Sequence, residues 1–416
     1  MVKTPEELYQ ERSKRISDAI QLKVPDRVPV EMAFDYFPAK YAGISCEAAY
    51  YDYEKWIAAN KKTIVDFAPD AVFWLPEYTP GLALEYLNPL HLKWPGHGVP
   101  SDHSHQFVEG EWMKPDEYDD FLSDHSDYML RGHLPSVIGA MKPLSQLPPI
   151  SSLGYGYFGA LVLAESLAKP EVADAIENLL KAGRELAKWS SKRDSFNDEI
   201  RNLGFPVNSG GMAQAPFDIV SDYLRGMQGT MMDMFRQPDN LLAAIDYILN
   251  DILERAIPAV AKSGNKRLFM PLHRGSDGFM SLKQFETFYW PSLKKVIVSA
   301  VEAGLTPGVF FEGVWTNRLE YLLELPKGKV LCHFDATDLF KAKEVLGGHL
   351  CIKGNVPASL LQTGSTQDVK DCCQQLIDIV GKGGGYIMCN RSAIDEAKPE
   401  NLKTMIDFTQ EYGVYR

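Results

Sequence analysis

The chain has 416 residues, of which 45% are hydrophobic and 24% are charged, and its formal net charge is −12. This balance is typical of a folded globular protein and excludes a disordered or fibrous chain. The acidic excess argues against a protein that mainly binds nucleic acid, because phosphate binding requires clustered lysine and arginine. We therefore expect no nucleic-acid partner.

The first residues, MVKTPEELYQERSKR, lack the apolar core of a signal peptide. No later run of about 18 uncharged apolar residues is long enough to span a bilayer. The six cysteines are too sparse for a disulfide framework. These features predict a soluble cytoplasmic enzyme without a membrane partner, and a homodimer is compatible with them.

Short β-rich segments alternate with amphipathic helical segments from Arg27 onward, which is typical of a parallel sheet covered by helices. Eight strands are predicted, at residues 27–34, 71–76, 207–217, 267–273, 307–311, 329–334, 349–353 and 386–389. Eight is the strand number of a closed α/β barrel. We predict a (β/α)8 TIM barrel of the α/β class, formed by residues 1–416 as one domain with an N-terminal helical extension.

Apolar residues recur at three- and four-residue spacing between the later strands. This pattern predicts helices at residues 240–261, 282–303, 338–346 and 365–380. The segment from about residue 78 to residue 206 is a long insertion between the second and third strands, with a helix near residues 172–191. We expect the insertion to form a cap or one wall over the barrel mouth.

Five segments resemble, in chain order, the uroporphyrinogen decarboxylase superfamily: RISDAIQLKVPDRVPV, AQAPFDIVSDYLRG, GFMSLKQFETFYWPSLKKVI, KGNVPASLL and KPENLKTMIDFTQEYG. That superfamily includes the decarboxylase, corrinoid-dependent methyltransferases and, more distantly, cobalamin-independent methionine synthase. The resemblance spans nearly the whole chain. It implies the barrel fold more strongly than it implies one activity.

The positions that bind substrate in the decarboxylases differ in this chain. The decarboxylases follow the first strand with an arginine-rich motif for the substrate carboxylates, whereas Phe34 and Asp35 stand here. Glu77 replaces the second-strand aspartate, Asp222 falls near the third-strand tyrosine, and Arg391 falls near the last-strand histidine. Because an anion repels a carboxylate, the resemblance favours the methyltransferase branch.

Methyltransferases of this superfamily hold zinc at strand ends, typically with a His-x-Cys pair after the fifth strand and a cysteine after the eighth. Here Glu312 stands at the cysteine position of the fifth-strand pair, while His333 ends the sixth strand and Cys389 ends the eighth. The resemblance implies zinc bound by these three residues, with Asp335 as an alternative ligand or as a partner that orients His333. A loop acid, a core histidine and a small buried thiol would be their structural interpretations.

Glutamate and histidine form a harder zinc site than thiolates do, which suits an ether or phenol oxygen. The resemblance therefore implies O-demethylation, with a methyl group passing from a methoxylated aromatic to a Co(I) corrinoid. The chain lacks the DxHxxG motif that ligates cobalt, so we expect the corrinoid on a separate protein. A decarboxylase and a non-catalytic barrel that binds a tetrapyrrole or corrinoid are the alternatives.

Three residues are predicted to be catalytic. His273 and Asp277 follow the fourth strand in HRGSDGF, where a proton donor would be useful. Asn355, in KGNVP, resembles the Gly-Asn element of the superfamily and would orient substrate or a loop. Support of the loop alone would explain Asn355 equally well.

Aromatic side chains near strand ends could hold an aromatic ring, although packing at the barrel rim would explain them equally well. Together with two nearby acids they form the predicted substrate-binding set, Asp35, Trp74, Glu77, Tyr78 and Trp315.

Overall fold

The computed structural model describes residues 3–73, 79–392 and 394–416. Each of the eight predicted strand segments overlaps one strand of the structure, and the insertion adds three more strands. The strands are β1 (Glu31–Met32), β2 (Ala71–Val72), β3 (Leu92–Pro95), β4 (Gly98–Val99), β5 (Gln106–Phe107), β6 (Gly211–Met212), β7 (Arg267–Leu272), β8 (Thr306–Phe311), β9 (Leu331–Phe334), β10 (Cys351–Lys353) and β11 (Tyr386–Ile387).

The parallel pairings follow the order of an eight-stranded barrel. Strands β6 to β11 form one sheet in sequence order, and β1 pairs with β2. A parallel bridge from Val72 to Val207 joins β2 to the segment that enters β6. A second parallel bridge joins Val30, which precedes β1, to Met388, which follows β11. The predicted α/β fold is therefore confirmed.

Helices connect the strands and cover them. The α-helices are α1 (Pro5–Ile20), α2 (Phe37–Ala42), α3 (Ala48–Tyr51), α4 (Tyr53–Phe67), α5 (Gly81–Leu87), α6 (Tyr118–Ser123), α7 (His125–Asp127), α8 (Leu134–Val137), α9 (Tyr157–Leu167), α10 (Pro170–Asn202), α11 (Pro216–Ile219), α12 (Gly226–Arg236), α13 (Pro238–Asp251), α14 (Ile257–Lys262), α15 (Leu282–Gln284), α16 (Trp290–Glu302), α17 (Leu339–Leu346), α18 (Ala358–Thr363), α19 (Thr366–Gln375) and α20 (Pro399–Tyr412).

Several of these helices continue through wider or tighter turns. The π-helical turns are Tyr128–His133, Val220–Leu224, Ile252–Ala256, Phe285–Tyr289 and Leu376–Val380, and the 3-10 segments are Gly139–Gln146, Ile150–Ser152 and Thr316–Glu324. The predicted helix at residues 240–261 thus corresponds to α13, a π-helical turn and α14. Among the described helices, none combines the length and apolar character needed to cross a membrane.

Local chemistry sets where the helices begin. Thr4 and Glu7 form a capping box at the start of α1, and Asp338 accepts backbone hydrogen bonds at the start of α17. The predicted third strand, residues 207–217, is shorter in the structure, and its last two predicted residues belong to α11, which begins at Pro216.

The described part of the insertion, residues 79–206, contains the small sheet β4-β3-β5 and the helices α5 to α10. Met113, Tyr118, Phe196 and Ile200 pack into the main hydrophobic core. Glu109 of the insertion accepts a hydrogen bond from the backbone amide of Met227, in α12, at 2.5 Å. The insertion is therefore packed against the barrel, while its role as a cap stays a prediction.

An ion pair lies inside the barrel. Lys353 of β10 donates to the Glu31 carboxylate of β1 at 2.5 Å, and both side chains are almost completely buried. Asn208 also donates to Glu31, and the Lys353 ammonium lies 4.0 Å from the centre of the Phe73 ring. Burying either charge alone would cost free energy. Each charged side chain lowers the desolvation cost of burying the other.

Removing one member of this pair should destabilise the barrel strongly. Lys353→Met leaves the Glu31 carboxylate without its closest cation, so we expect the free energy of unfolding to fall by about 3–5 kcal/mol. Urea denaturation measures the change. The matched control is Lys403→Met, which removes an exposed partner of Asp407 and should cost less than about 1 kcal/mol. Equal losses of unfolding free energy in the two variants would show that the buried Glu31–Lys353 pair stabilises the barrel no more than an exposed pair does.

Candidate active site

Titratable side chains follow three neighbouring strands at their carboxyl ends. The last residues of β7, β8 and β9 lie opposite one another in the parallel register. His273, Glu312 and Asp335 come directly after these strands, so they are neighbours at one rim of the barrel. Backbone hydrogen bonds continue the pairing beyond the strand ends, since the Glu312 amide donates to Leu272 and the Asp335 amide donates to Phe311.

His273 forms a close pair with Asp222, which lies in the π-helical turn after α11. The Nδ1 atom of His273 is 2.5 Å from Asp222 Oδ2, and the Arg274 guanidinium is 3.0 Å from the other oxygen. Burial lowers the pKa of His273, but the hydrogen bond and charge of Asp222 raise it more, with help from Asp218 and Glu312. The net pKa lies above the ordinary imidazole value, so the ring holds a proton readily.

Asp218 fixes the backbone that presents His273. Its completely buried carboxylate accepts hydrogen bonds from the amides of His273 and Arg274, at 2.9 and 3.1 Å, and from the Tyr289 hydroxyl at 2.8 Å. Burial and the neighbouring Asp222 charge raise the pKa of Asp218 to about 6. The sequence interpretation missed this residue, although its position four residues before Asp222 places both acids on one helical face.

Glu312 is the uncommitted acid of the rim. Its residue is exposed to solvent, and within the described chain its carboxylate makes no hydrogen bond or ion pair. Although the residue is exposed, the protein around the carboxylate partly desolvates it and raises its pKa; the His273 charge opposes the shift, and the Asp335 charge adds to it. Glu312 is therefore a solvent-accessible rim carboxylate that holds a proton more readily than an ordinary glutamate does.

Asp335 is held in place by three groups. Arg391 Nε lies 2.9 Å from one carboxylate oxygen, and the Gly313 amide donates to the other at 3.0 Å. Asn355 Nδ2 donates to the backbone oxygens of Asp335 and Thr337, at 3.0 and 2.9 Å. Asn355 thus supports the loop after β9, as one of its two predicted roles requires, while its catalytic role stays a prediction.

Two further predicted site residues make structural contacts. Those of Asp277 leave its catalytic role a prediction, whereas burial contradicts Trp315 as a substrate contact. Asp277 binds the buried Arg318 at 2.7 Å and accepts from the Asn317 amide at 3.0 Å, so it fastens the loop after β7. Trp315 is completely buried, and its indole nitrogen donates to the Glu312 backbone oxygen at 2.9 Å. It forms the wall beneath Glu312 and has no surface for a substrate.

The remaining substrate-binding residues lie at the first and second strands. The Asp35 carboxylate accepts a hydrogen bond from the Ile394 amide at 3.1 Å, which ties the first rim loop to the last. Its contact with substrate stays a prediction. Trp74, Glu77 and Tyr78 lie outside the described residues.

The predicted zinc ligands are not brought together. Across the described ranges, no group of three or more histidine, cysteine or acidic side chains is arranged to hold a metal ion. His333 precedes the last residue of β9 and lies in the barrel interior, where its Nε2 atom is 3.1 Å from the Asn390 backbone oxygen. Cys389 is buried, and its thiol donates to the Asn390 side chain at 3.3 Å. Glu312, by contrast, stands on the rim.

Protonation also disfavours Cys389 as a metal ligand, whereas His333 is neutral, as a metal-binding imidazole must be. Burial, with the nearby Lys353 charge, lowers the pKa of His333 well below its ordinary value. Burial raises the pKa of the Cys389 thiol to about 12, although Lys353 opposes the shift. A thiol must lose its proton to bind zinc. Glu312, His333 and Cys389 therefore do not fit the zinc site predicted for them.

A barrel of parallel strands with titratable groups at its carboxyl-terminal rim belongs to the class of α/β barrels whose active sites lie at that face. The family model described as Uroporphyrinogen decarboxylase (URO-D) matches residues 192–412, which is more than half of the chain. The chain belongs to that family.

Comparison with solved structures supports the same fold. A methyltransferase from Methanosarcina mazei aligns with a TM-score of 0.61 at 15% sequence identity, over 96% of this chain and 98% of that one. A B12-independent methionine synthase from Shewanella sp. W3-18-1, in complex with selenomethionine, aligns with a TM-score of 0.33 at 9% identity, over 52% of this chain and 64% of that one. The first match shows the fold, and the second is too weak to support an argument. No curated protein matches the chain.

The raised pKa of His273 should depend on Asp222. Asp222→Asn removes the charge that holds the imidazole proton, so we expect the pKa of His273 to fall. In the native protein the charged pair stabilises the fold fully below the unfolded imidazole pKa, near 6.5, and this contribution is lost as pH rises through the higher folded pKa. In Asp222→Asn this loss should shrink or disappear.

Titration of the imidazole by NMR and urea denaturation across this pH range measure the two effects. Asp371→Asn, on the exposed face of α19, is the matched control and should change neither. An unaltered His273 pKa in Asp222→Asn would contradict the assigned pairing.

Proposed function

We propose that this chain is a methyltransferase that moves a methyl group from a small methylated molecule to the Co(I) corrinoid of a separate protein. The proposed donor is a methoxylated aromatic compound, and the reaction is O-demethylation. One observation supports this most directly: the proton-holding His273–Asp222 pair stands beside the uncommitted Glu312 at the mouth of a URO-D-family barrel.

The chemistry requires a proton at the leaving oxygen. When the O–CH3 bond breaks, both bonding electrons stay on the oxygen, and a phenoxide or alkoxide leaves unless it is protonated. Protonated His273 supplies that proton from a ring held by Asp222, and Glu312 returns a proton to the ring. The corrinoid supplies the nucleophile that accepts the methyl group.

The charge at the mouth argues against the decarboxylase alternative. Within the described part of the rim, the acids Asp35, Asp222, Glu312 and Asp335 outnumber the two arginines, Arg274 and Arg391. Each arginine is already paired, Arg274 with Asp222 and Arg391 with Asp335. No described cation of the rim is left to bind a substrate with several carboxylates, whereas a neutral methyl ether needs none.

The reaction is tested by mixing the chain with a reduced corrinoid protein and methylated donors while following methyl-cobalt absorbance. The donors are an aryl methyl ether, a methylamine and a methyl thioether. We expect transfer from the aryl ether, and His273→Gln should slow it by about 100- to 10,000-fold. The slowing should be greater for donors whose leaving phenol has a higher pKa, because their oxygen depends more on the acid.

The matched control is His349→Gln, since His349 only bonds the Leu325 backbone near the start of β10. It should keep the native rate. Lack of transfer from every donor by the native chain would overturn the proposed function. A fully active His273→Gln would overturn the role of His273 while leaving the reaction itself in place.

Zinc remains a prediction from the family resemblance, and no step above depends on it. Metal analysis of the purified chain tests the ligand set. Because His333 and Cys389 lie inside the barrel while Glu312 stands on the rim, we expect Glu312→Gln, His333→Ala and Cys389→Ala to leave the metal content unchanged. Loss of bound zinc in all three variants would restore the ligand set predicted from the sequence.

A further inference from the structure

A large polar cavity lies at the face of the barrel opposite to the candidate active site. It has a volume of about 950 Å³ and is lined by the segments that enter β6, β7 and β8, together with α1 and α10. Small-molecule sites typically enclose about 300–1,000 Å³. The cavity is thus large enough for a small ligand, and its position at the amino ends of the strands separates it from the rim chemistry.

The cavity is positively charged although the chain as a whole is acidic. Four cations line it, Arg193, Arg201, Lys266 and Arg267, against the single carboxylate of Asp194. Arg193 pairs with Asp194 at 3.3 Å and Arg201 with Asp198 at 3.7 Å, so Lys266 and Arg267 are the two lining cations without an ion pair among the described residues. In a chain with a formal net charge of −12, this local excess attracts anions.

Arg267, the first residue of β7, is the cation placed deepest. It is half-buried, and in the part of the chain that the structure describes its guanidinium makes no hydrogen bond or ion pair. Glu31 acts on it only through space, and the Glu31 oxygens are taken by Lys353 and Asn208. A guanidinium stays charged in proteins, so Arg267 keeps an unmatched charge that an anion in the cavity would neutralise.

A second residue of the cavity, Asn197, has a polar side-chain atom that lacks a hydrogen bond among the described residues. This α10 residue lines the same cavity, and its side-chain oxygen is buried without a hydrogen-bond partner among the described residues. Buried amide groups are nearly always hydrogen-bonded, and an acceptor of this kind is satisfied by a hydroxyl or amine donor. The cavity therefore offers a cation for an anionic group and, separately, an acceptor for a hydroxyl group.

We propose that this cavity binds a small hydroxylated anion, with the phosphate or carboxylate group on Arg267 and a hydroxyl group on Asn197. The exposed Arg201 and Lys266 attract the anion toward the opening. The site requires neither the rim residues nor methyl transfer. It is therefore a second site, and its existence does not depend on the proposed function.

Isothermal titration calorimetry at constant ionic strength tests the site. The ligands are glycerol 3-phosphate, glycerate, inorganic phosphate and glycerol. We expect one site that binds glycerol 3-phosphate or glycerate more tightly than inorganic phosphate, and no binding of glycerol. The stronger of the two hydroxylated anions identifies the preferred anionic group. Absence of binding by both would overturn the proposal.

Variants separate the two contacts. Arg267→Gln should weaken binding of the preferred ligand by about 10- to 100-fold, as expected for a lost charged hydrogen bond. Asn197→Ala should remove the preference over inorganic phosphate and leave phosphate binding itself intact. The matched control is Arg184→Gln, an exposed arginine of the same helix that does not line the cavity.

Arg201→Gln keeps the test valid if Arg267→Gln fails to fold. Arg201 is exposed, so its loss should leave the fold intact and weaken binding by several-fold through the reduced positive charge. Equal affinities in Arg201→Gln and Arg184→Gln would show that the cavity charge does not hold the ligand. Equal affinities in Arg267→Gln and Arg184→Gln would likewise overturn the proposal.

Discussion

Backbone hydrogen bonding between β7, β8 and β9 fixes the height of the rim side chains that follow these three strands. The register places the last residues of the three strands opposite one another, so the next residues project at the same level. Successive side chains in a strand point to opposite faces, so a slip of one residue would turn the barrel-facing side chains toward the helices. The proximity of His273, Glu312 and Asp335 is a direct consequence of this register.

Asp218 fixes the conformation of the loop that follows β7, and with it the orientation of His273. A buried carboxylate is costly unless hydrogen bonds satisfy it, and here two backbone amides and the Tyr289 hydroxyl do so. Both amides belong to the loop after β7, so satisfying Asp218 holds that loop in one conformation. His273 then faces Asp222, and the positive charge that Asp222 favours on the ring also offsets the acids around it.

The sequence predicted the eight strands because buried β-rich segments alternate with amphipathic helices, and it placed His273 and Glu312 at strand ends. It could not identify Asp218, whose importance comes from partners as distant along the chain as Tyr289. It also assigned Trp315 to substrate, since an aromatic residue near a rim has the same sequence pattern whether it is buried or exposed. His333 has the same alternation as Asp335 but precedes it by two residues, so its side chain lies deeper in the barrel than the rim.

The charge balance of the interior explains why proton chemistry is confined to the rim. Inside the barrel, the Glu31 carboxylate is bound by the Lys353 ammonium, and both side chains are buried. The positive charge of Lys353, added to burial, keeps His333 neutral. The same positive charge favours ionisation of the Cys389 thiol, yet burial outweighs it and the thiol stays protonated. Neither residue can exchange a proton near neutral pH, whereas His273 and Glu312 combine raised pKa values with access to the mouth.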